Sequence, residues 1–87
     1  MISMPSIAII DSDPNMARIC ETAFASRGHT LAFHAANCAE ALEKLRASTK
    51  TPDMIVVSSD HGSEALKTIK SEHPSIIVKE VRGKNTK

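Results

Sequence analysis

The residue types best suited to do chemistry fall at three points of the 87-residue chain: Asp11-Ser12-Asp13, Ser58-Ser59-Asp60 and Lys79-Glu80. Grouped carboxylates can hold a hard cation such as magnesium, and a carboxylate or hydroxyl facing that cation can receive a phosphoryl group. On that chemistry Asp11 and Asp13 would be weak magnesium ligands and Asp60 an atypical phosphorylatable residue. A plainer reading spends the same side chains on structure. Asp13 stands directly before Pro14 and suits a helix N-cap, Asp60 suits the cap of a later helix, and Asp11 is a polar residue where a strand ends. The plainer reading is preferred, so no metal ligand and no cofactor are assigned. Ser58 and Ser59 precede a glycine turn, where hydroxyls bond local backbone more often than they react.

The remaining reactive types are scattered. His29, His34, His61 and His73 show no HxxxH or Cys/His spacing, which disfavours zinc. Cys20 and Cys38 form no CxxC pair and each lies on an apolar helical stripe, the setting of a buried, inert thiol. Gly28, Gly62 and Gly83 make no phosphate-cradling loop. Eleven Lys plus Arg against ten Asp plus Glu leave a net charge of +1, too little for a nucleic-acid or anionic-lipid field. Only Phe24 and Phe33 could stack on bases, and both sit in apolar periodic segments. Residues Met1 to Ile10 carry no basic leader, and the longest run of large apolar residues, Met54 to Val57, is far too short to span a bilayer. A non-enzymatic protein of the reducing cytoplasm, with one small core, is the expectation.

These residues need a scaffold, and the hydropathy pattern supplies one. Ser6 to Ile10 (SIAII) reads as a strand buried on both faces, and Met16, Ile19, Cys20, Ala23 and Phe24 then recur on a helical face to about Arg27, where Gly28 closes the helix. Thr30 to Ala35 is an edge strand with Leu31 and Phe33 on one side. Asn37 and Glu40 form a capping box ahead of Cys38, Ala41, Leu42 and Leu45. Met54 to Val57 is a third strand. Gly62 opens a last helix with Ala65, Leu66 and Ile69 inside, His73-Pro74 ends it, and Ser75 to Val78 is a fourth strand. Residues 1–83 then form one domain and 84–87 a mobile polar tail. The βαβαβαβ pattern predicts an α/β fold with a parallel sheet, whose chemistry belongs at the carboxyl ends of its strands.

The acidic turn IIDSDPNMAR, the Gly28 break, AANCAEALEKL, PDMIVV and GSEALKTIK, taken in order, resemble the receiver domains of two-component response regulators. The resemblance covers Ser6 to about Val78 and implies a flavodoxin-like sheet of strand order 2-1-3-4. In that family, acidic residues after the first strand bind magnesium, and an Asp ending the third strand accepts phosphate. Here Asp11 matches the first acidic position, but Ser12 falls on the second and Ser58 on the phospho-acceptor. The loop after Ser58 is short, and the family's last helix, strand and helix have no counterpart before Lys87. Lys79 comes too early to be its active-site lysine. The resemblance therefore implies a degenerate pseudo-receiver unable to undergo aspartyl phosphorylation, either truncated after its fourth strand or a piece of a larger protein.

Truncation leaves the fourth strand as an open edge and uncovers apolar side chains of strands three and four beside the first helix. A few hundred Å² of such surface forgoes several kcal/mol at about 25 cal/mol per Å². The reading is of a signalling module that acts by protein-protein contact and forms homodimers or binds a signalling partner. The contact residues it names are Met16, Ile19 and Ala23 on the helix, and Ile76, Ile77, Val78 and Val81 on the edge.

Overall fold

In the computed structural model, which describes residues 5–48 and 51–81, the β-branched runs become strands and the periodic segments between them helices. The elements are β1 (Ser6–Ile10), α1 (Pro14–Ala25), β2 (Thr30–Ala35), α2 (Cys38–Ala47), β3 (Met54–Val57), α3 (Glu64–Glu72) and β4 (Ile77–Glu80). All strand pairs are parallel, in the order β2-β1-β3-β4. The expected α/β class and strand order are thus present, as a flavodoxin-like sheet of four strands.

This order decides which helix covers which face. Crossovers between parallel strands keep one hand, so reversing direction across the sheet puts the connecting helices on opposite sides. The β1 to β2 connection runs one way and the later two run the other. Ile7 and Ile9 accordingly pack with Ala17, Cys20, Phe24 and Met54 beneath α1. Ala8, Ile10, Ile55 and Val57 meet Cys38, Ala41, Leu45, Leu66 and Ile69 from α2 and α3 on the other face. β1 from Ile7 onward and β3, central and covered twice, are apolar at every position.

Local signals set most helix ends. Asp13 caps α1 by accepting the Asn15 amide at 2.9 Å. Asn37 Oδ1 accepts the Glu40 amide at 2.8 Å, and Glu40 reaches back to the Ala36 amide at 2.7 Å. α1 stops at Ala25, short of Arg27, because its last turn tightens: Arg27 N–H bonds Phe24 O and Gly28 N–H bonds Ala25 O, each three residues back. Gly28 then takes φ 91°, a left-handed conformation that costs glycine nothing.

Several expectations are corrected. α3 begins at Glu64, not at Gly62, and its cap is Ser63, whose Oγ accepts the Leu66 amide at 3.1 Å. A register shift between Ile7 and Ala8 pairs Leu31 with Ile7 and Phe33 with Ala8, so those two side chains face opposite sides of the sheet, with Ala32 the extra residue. β4 lies two residues later than Ser75 to Val78. The Ile76 amide closes a turn onto His73 O at 3.1 Å, so Ile77 is the first to join the ladder, through Asp53 O at 3.1 Å. Lys79 and Glu80 are therefore strand residues. Val56 of β3 is fully buried, which confines the expected exposed patch to β4. The proposed tail at 84–87 lies outside the described residues.

Ile69→Ala should lower unfolding stability by about 2 to 5 kcal/mol because it empties a wholly buried site between α3 and the sheet. Ile77→Ala, at a position 65% exposed, should change stability by less than about 0.5 kcal/mol. Urea titrations of both variants check this pair, and equal losses would contradict the burial pattern.

Candidate functional site

The polar strand ends meet around one buried carboxylate. Asp11 extends β1 by a further bond, its amide donating to Ala35 O at 2.9 Å, and this draws the side chain between β1 and β3, where it is only 6% exposed. Its Oδ1 accepts the Asp13 amide at 2.8 Å and its Oδ2 accepts the Ser58 hydroxyl at 2.5 Å. The Ser58 amide bonds Ile10 O at 3.0 Å, which sets that hydroxyl at the right height. A hydroxyl donating to a carboxylate at this separation is a short, charge-assisted hydrogen bond. One residue outward, Ser59 Oγ accepts the Ser12 amide at 3.1 Å. His34 Nε2 lies 2.9 Å from Asp11 O, so that nitrogen carries the donated proton.

The structure thus brings Asp11 and Ser58 together and leaves the other acidic candidates on separate tasks. Asp13 is held by its cap. Asp60 adopts φ 65° in the loop after β3, and its carboxylate accepts the Cys38 amide at 2.8 Å. It caps α2, not α3 as the sequence suggested. The left-handed turn aims it back across the sheet top instead of forward along the chain. Among the described residues no group of three or more His, Cys, Asp or Glu side chains is placed to hold a metal ion.

The thiols are placed to stay protonated. Burial, opposed by a hydrogen bond with Ser63, pushes the Cys38 thiol up, with Asp60 and Glu80 adding to the rise. Burial and then the Asp11 charge push Cys20 up. Both effects disfavour the reactive thiolate. The four histidines are half-buried. His29 meets Phe24 edge-on at 5.2 Å between ring centres, and His61 Nδ1 lies 3.4 Å from Glu80 Oε1. Glu80 also accepts from Lys70 Nζ at 3.1 Å; that bond first, and His61 second, hold its carboxyl below the usual range. The sequence singled out Lys79-Glu80 but not Lys70 or His61, which lie on other elements and carry no spacing signal.

A groove of about 350 Å³ lies elsewhere, near the amino ends of β1 and β2, where Ser6, Thr30, Leu31, Phe33 and Thr51 border it. The described residues that border it carry no charged group to recognise a ligand, so the strand ends are the better-built site.

The contact residues named from sequence divide clearly. Met16 is 45%, Ile19 60%, Ile77 65% and Val81 37% exposed; Ala23 is exposed as well. Val78 is half-buried against the α2/α3 side of the core. Ile76 is a core residue at 7% exposure and leaves the contact set, because the turn onto His73 directs it inward before β4 begins.

No protein-family model matches the chain, and no curated protein does.

Ser58→Ala should cost about 1 to 3 kcal/mol by leaving a buried carboxylate oxygen short of its donor. Ser58→Asp should cost more at pH 7, since two carboxylates then compete for one site and one of them has its folded pKa raised. A raised carboxyl pKa means that the folded state binds the extra proton, so the Ser58→Asp deficit should shrink as pH falls toward 4. Urea midpoints at the two pH values measure this; a deficit that does not change with pH would show that the side chains are apart.

Proposed function

We propose that this chain is a non-catalytic signalling module with a receiver-like architecture, working by protein-protein contact, self-association included, and independent of aspartyl phosphorylation. One contrast carries the reading. The polar strand ends are largely bonded to one another, whereas four of the five large apolar side chains left in water among the described residues, Met16, Ile19, Ile77 and Val81, stand on α1 and at β4, the fifth being Leu31 on β2. Exposed apolar groups gathered on particular elements mark contact surfaces more often than chance.

The reading of the strand ends follows from hydrogen-bond capacity. Ser58, in the position that the receiver resemblance gives to the phospho-acceptor, has its hydroxyl within hydrogen-bond distance of two acceptors, Asp11 Oδ2 at 2.5 Å and Ile10 O at 3.2 Å. Asp60, the alternative acceptor, stabilises the amino end of α2 and stands apart from Asp11 and Asp13 in the bonds it makes. The near-neutral charge supports a protein partner over nucleic acid. No helix among the described residues is long and apolar enough to cross a membrane. Protonated thiols and the absence of a disulfide between Cys20 and Cys38 suit the proposed cytoplasmic setting.

Light scattering coupled to size exclusion, run at tens of micromolar, should give a mass above that of the 9.4 kDa chain, and Ile19→Asp should lower it toward the monomer. Incubation with acetyl phosphate and magnesium should leave the intact mass unchanged. A monomeric wild type counts against self-association, and a one-phosphate adduct abolished by Asp60→Asn would restore the phosphorylatable reading.

A further inference from the structure

Among the described residues β4 is an outer strand of the sheet, as β2 is on the other side, and its ladder with β3 fixes where its backbone groups point. Ile77 N–H donates to Asp53 O at 3.1 Å and Val81 N–H donates to Val57 O at 2.7 Å, so the odd-numbered residues turn their amides inward. Alternation along a strand turns the amides and carbonyls of Val78 and Glu80 outward, to the open edge. Side chains alternate as well. Ile77 and Lys79 pair with Met54 and Val56 on the α1 face, while Val78 pairs with Ile55 on the other. Glu80 is tied to Lys70 and His61. Lys79 is exposed and makes no hydrogen bond or ion pair among the described residues.

A strand added at this edge must bond Val78 and Glu80, and it then sets one side chain directly against Lys79. A second copy pairing antiparallel about a two-fold axis, with both residues bonded, would place Lys79 on its own symmetry mate. Like charges opposed across strands are destabilising. Moving the axis to Val78 sets Glu80 against Ile76, whose amide is already given to His73 O, and moving it to Glu80 opposes two glutamates across the strands. Charge complementarity therefore selects another occupant. We propose that the β4 edge accepts an extended segment of a different protein, one that places a carboxylate opposite Lys79 and aliphatic side chains opposite Ile77 and Val81. This deepens the reading of the chain as an interaction module, on which it rests. Self-association then belongs to side-chain packing around α1 and Ile77 and not to strand pairing.

The test uses the full chain and three blocked heptapeptides that alternate threonine with valine. The first carries a central glutamate, the second a central lysine, and the third is the glutamate peptide with the two flanking threonines N-methylated so that they cannot donate. NMR titration and amide exchange are the readouts. The glutamate peptide should slow exchange at Val78 and Glu80 and bind roughly fivefold or more tighter than the lysine peptide, the upper range for one cross-strand charge pair. Lys79→Glu should reverse that preference, and the methylated peptide should give no protection. Equal binding of both charges, protection by the methylated peptide, or no protection at millimolar peptide would overturn the proposal. Light scattering on the same sample separates the two ideas: a monomer with charge-selective protection sinks self-association alone, and an oligomer with no protection sinks strand docking alone.

Discussion

A carboxylate taken out of water must be given hydrogen-bond donors or a counter-charge. Asp11 is that carboxylate here, and the way its demand is met organises the carboxyl end of the sheet. One oxygen takes a backbone amide from the turn into α1, the other takes the Ser58 hydroxyl from the end of β3. The same pair of bonds therefore starts the first helix and ties the two central strands together. With a second carboxylate at position 58 the balance would change sign, and a cation would be needed where a hydroxyl proton now suffices.

From this follows the division of the surface. Most polar groups at the strand ends are satisfied inward, through Ser58, Ser59, His34 and Asp60, the exception among the described residues being the buried His61 Nε2, which has no hydrogen-bond partner. Among the surfaces that remain available to another molecule are the outer side of α1 and the free edge of β4. The two differ in kind. α1 offers side chains alone, since its own backbone groups are bonded within the helix. β4 offers main-chain donors and acceptors together with a cation, Lys79, that has no partner among the described residues, and so can be selective in a way that an apolar patch cannot.

β4 itself is held from the side that faces α3. Val78 packs on the core, Glu80 bonds Lys70, and His61 reaches Glu80 from the loop before α3. Those contacts lie on exposed or half-exposed groups and add modestly to stability. Their geometric effect is larger: they keep a short edge strand extended, with its amides aligned for pairing.

The sequence by itself determined the order and kind of every element, the caps at Asp13 and Asn37, and the closing role of Gly28. Each depends on residues within a few positions, whose backbone preferences and hydrogen bonds are settled locally. Tertiary structure alone decided the meeting of Asp11 with Ser58, 47 residues apart, and the capping of α2 by Asp60, 22 residues from Cys38. It also decided the split of Leu31 from Phe33 and the later start of β4. In those cases several partners compete for one donor or one ladder position. The winner is set by strand register, a property of how whole strands settle against one another, which no local spacing of residues encodes.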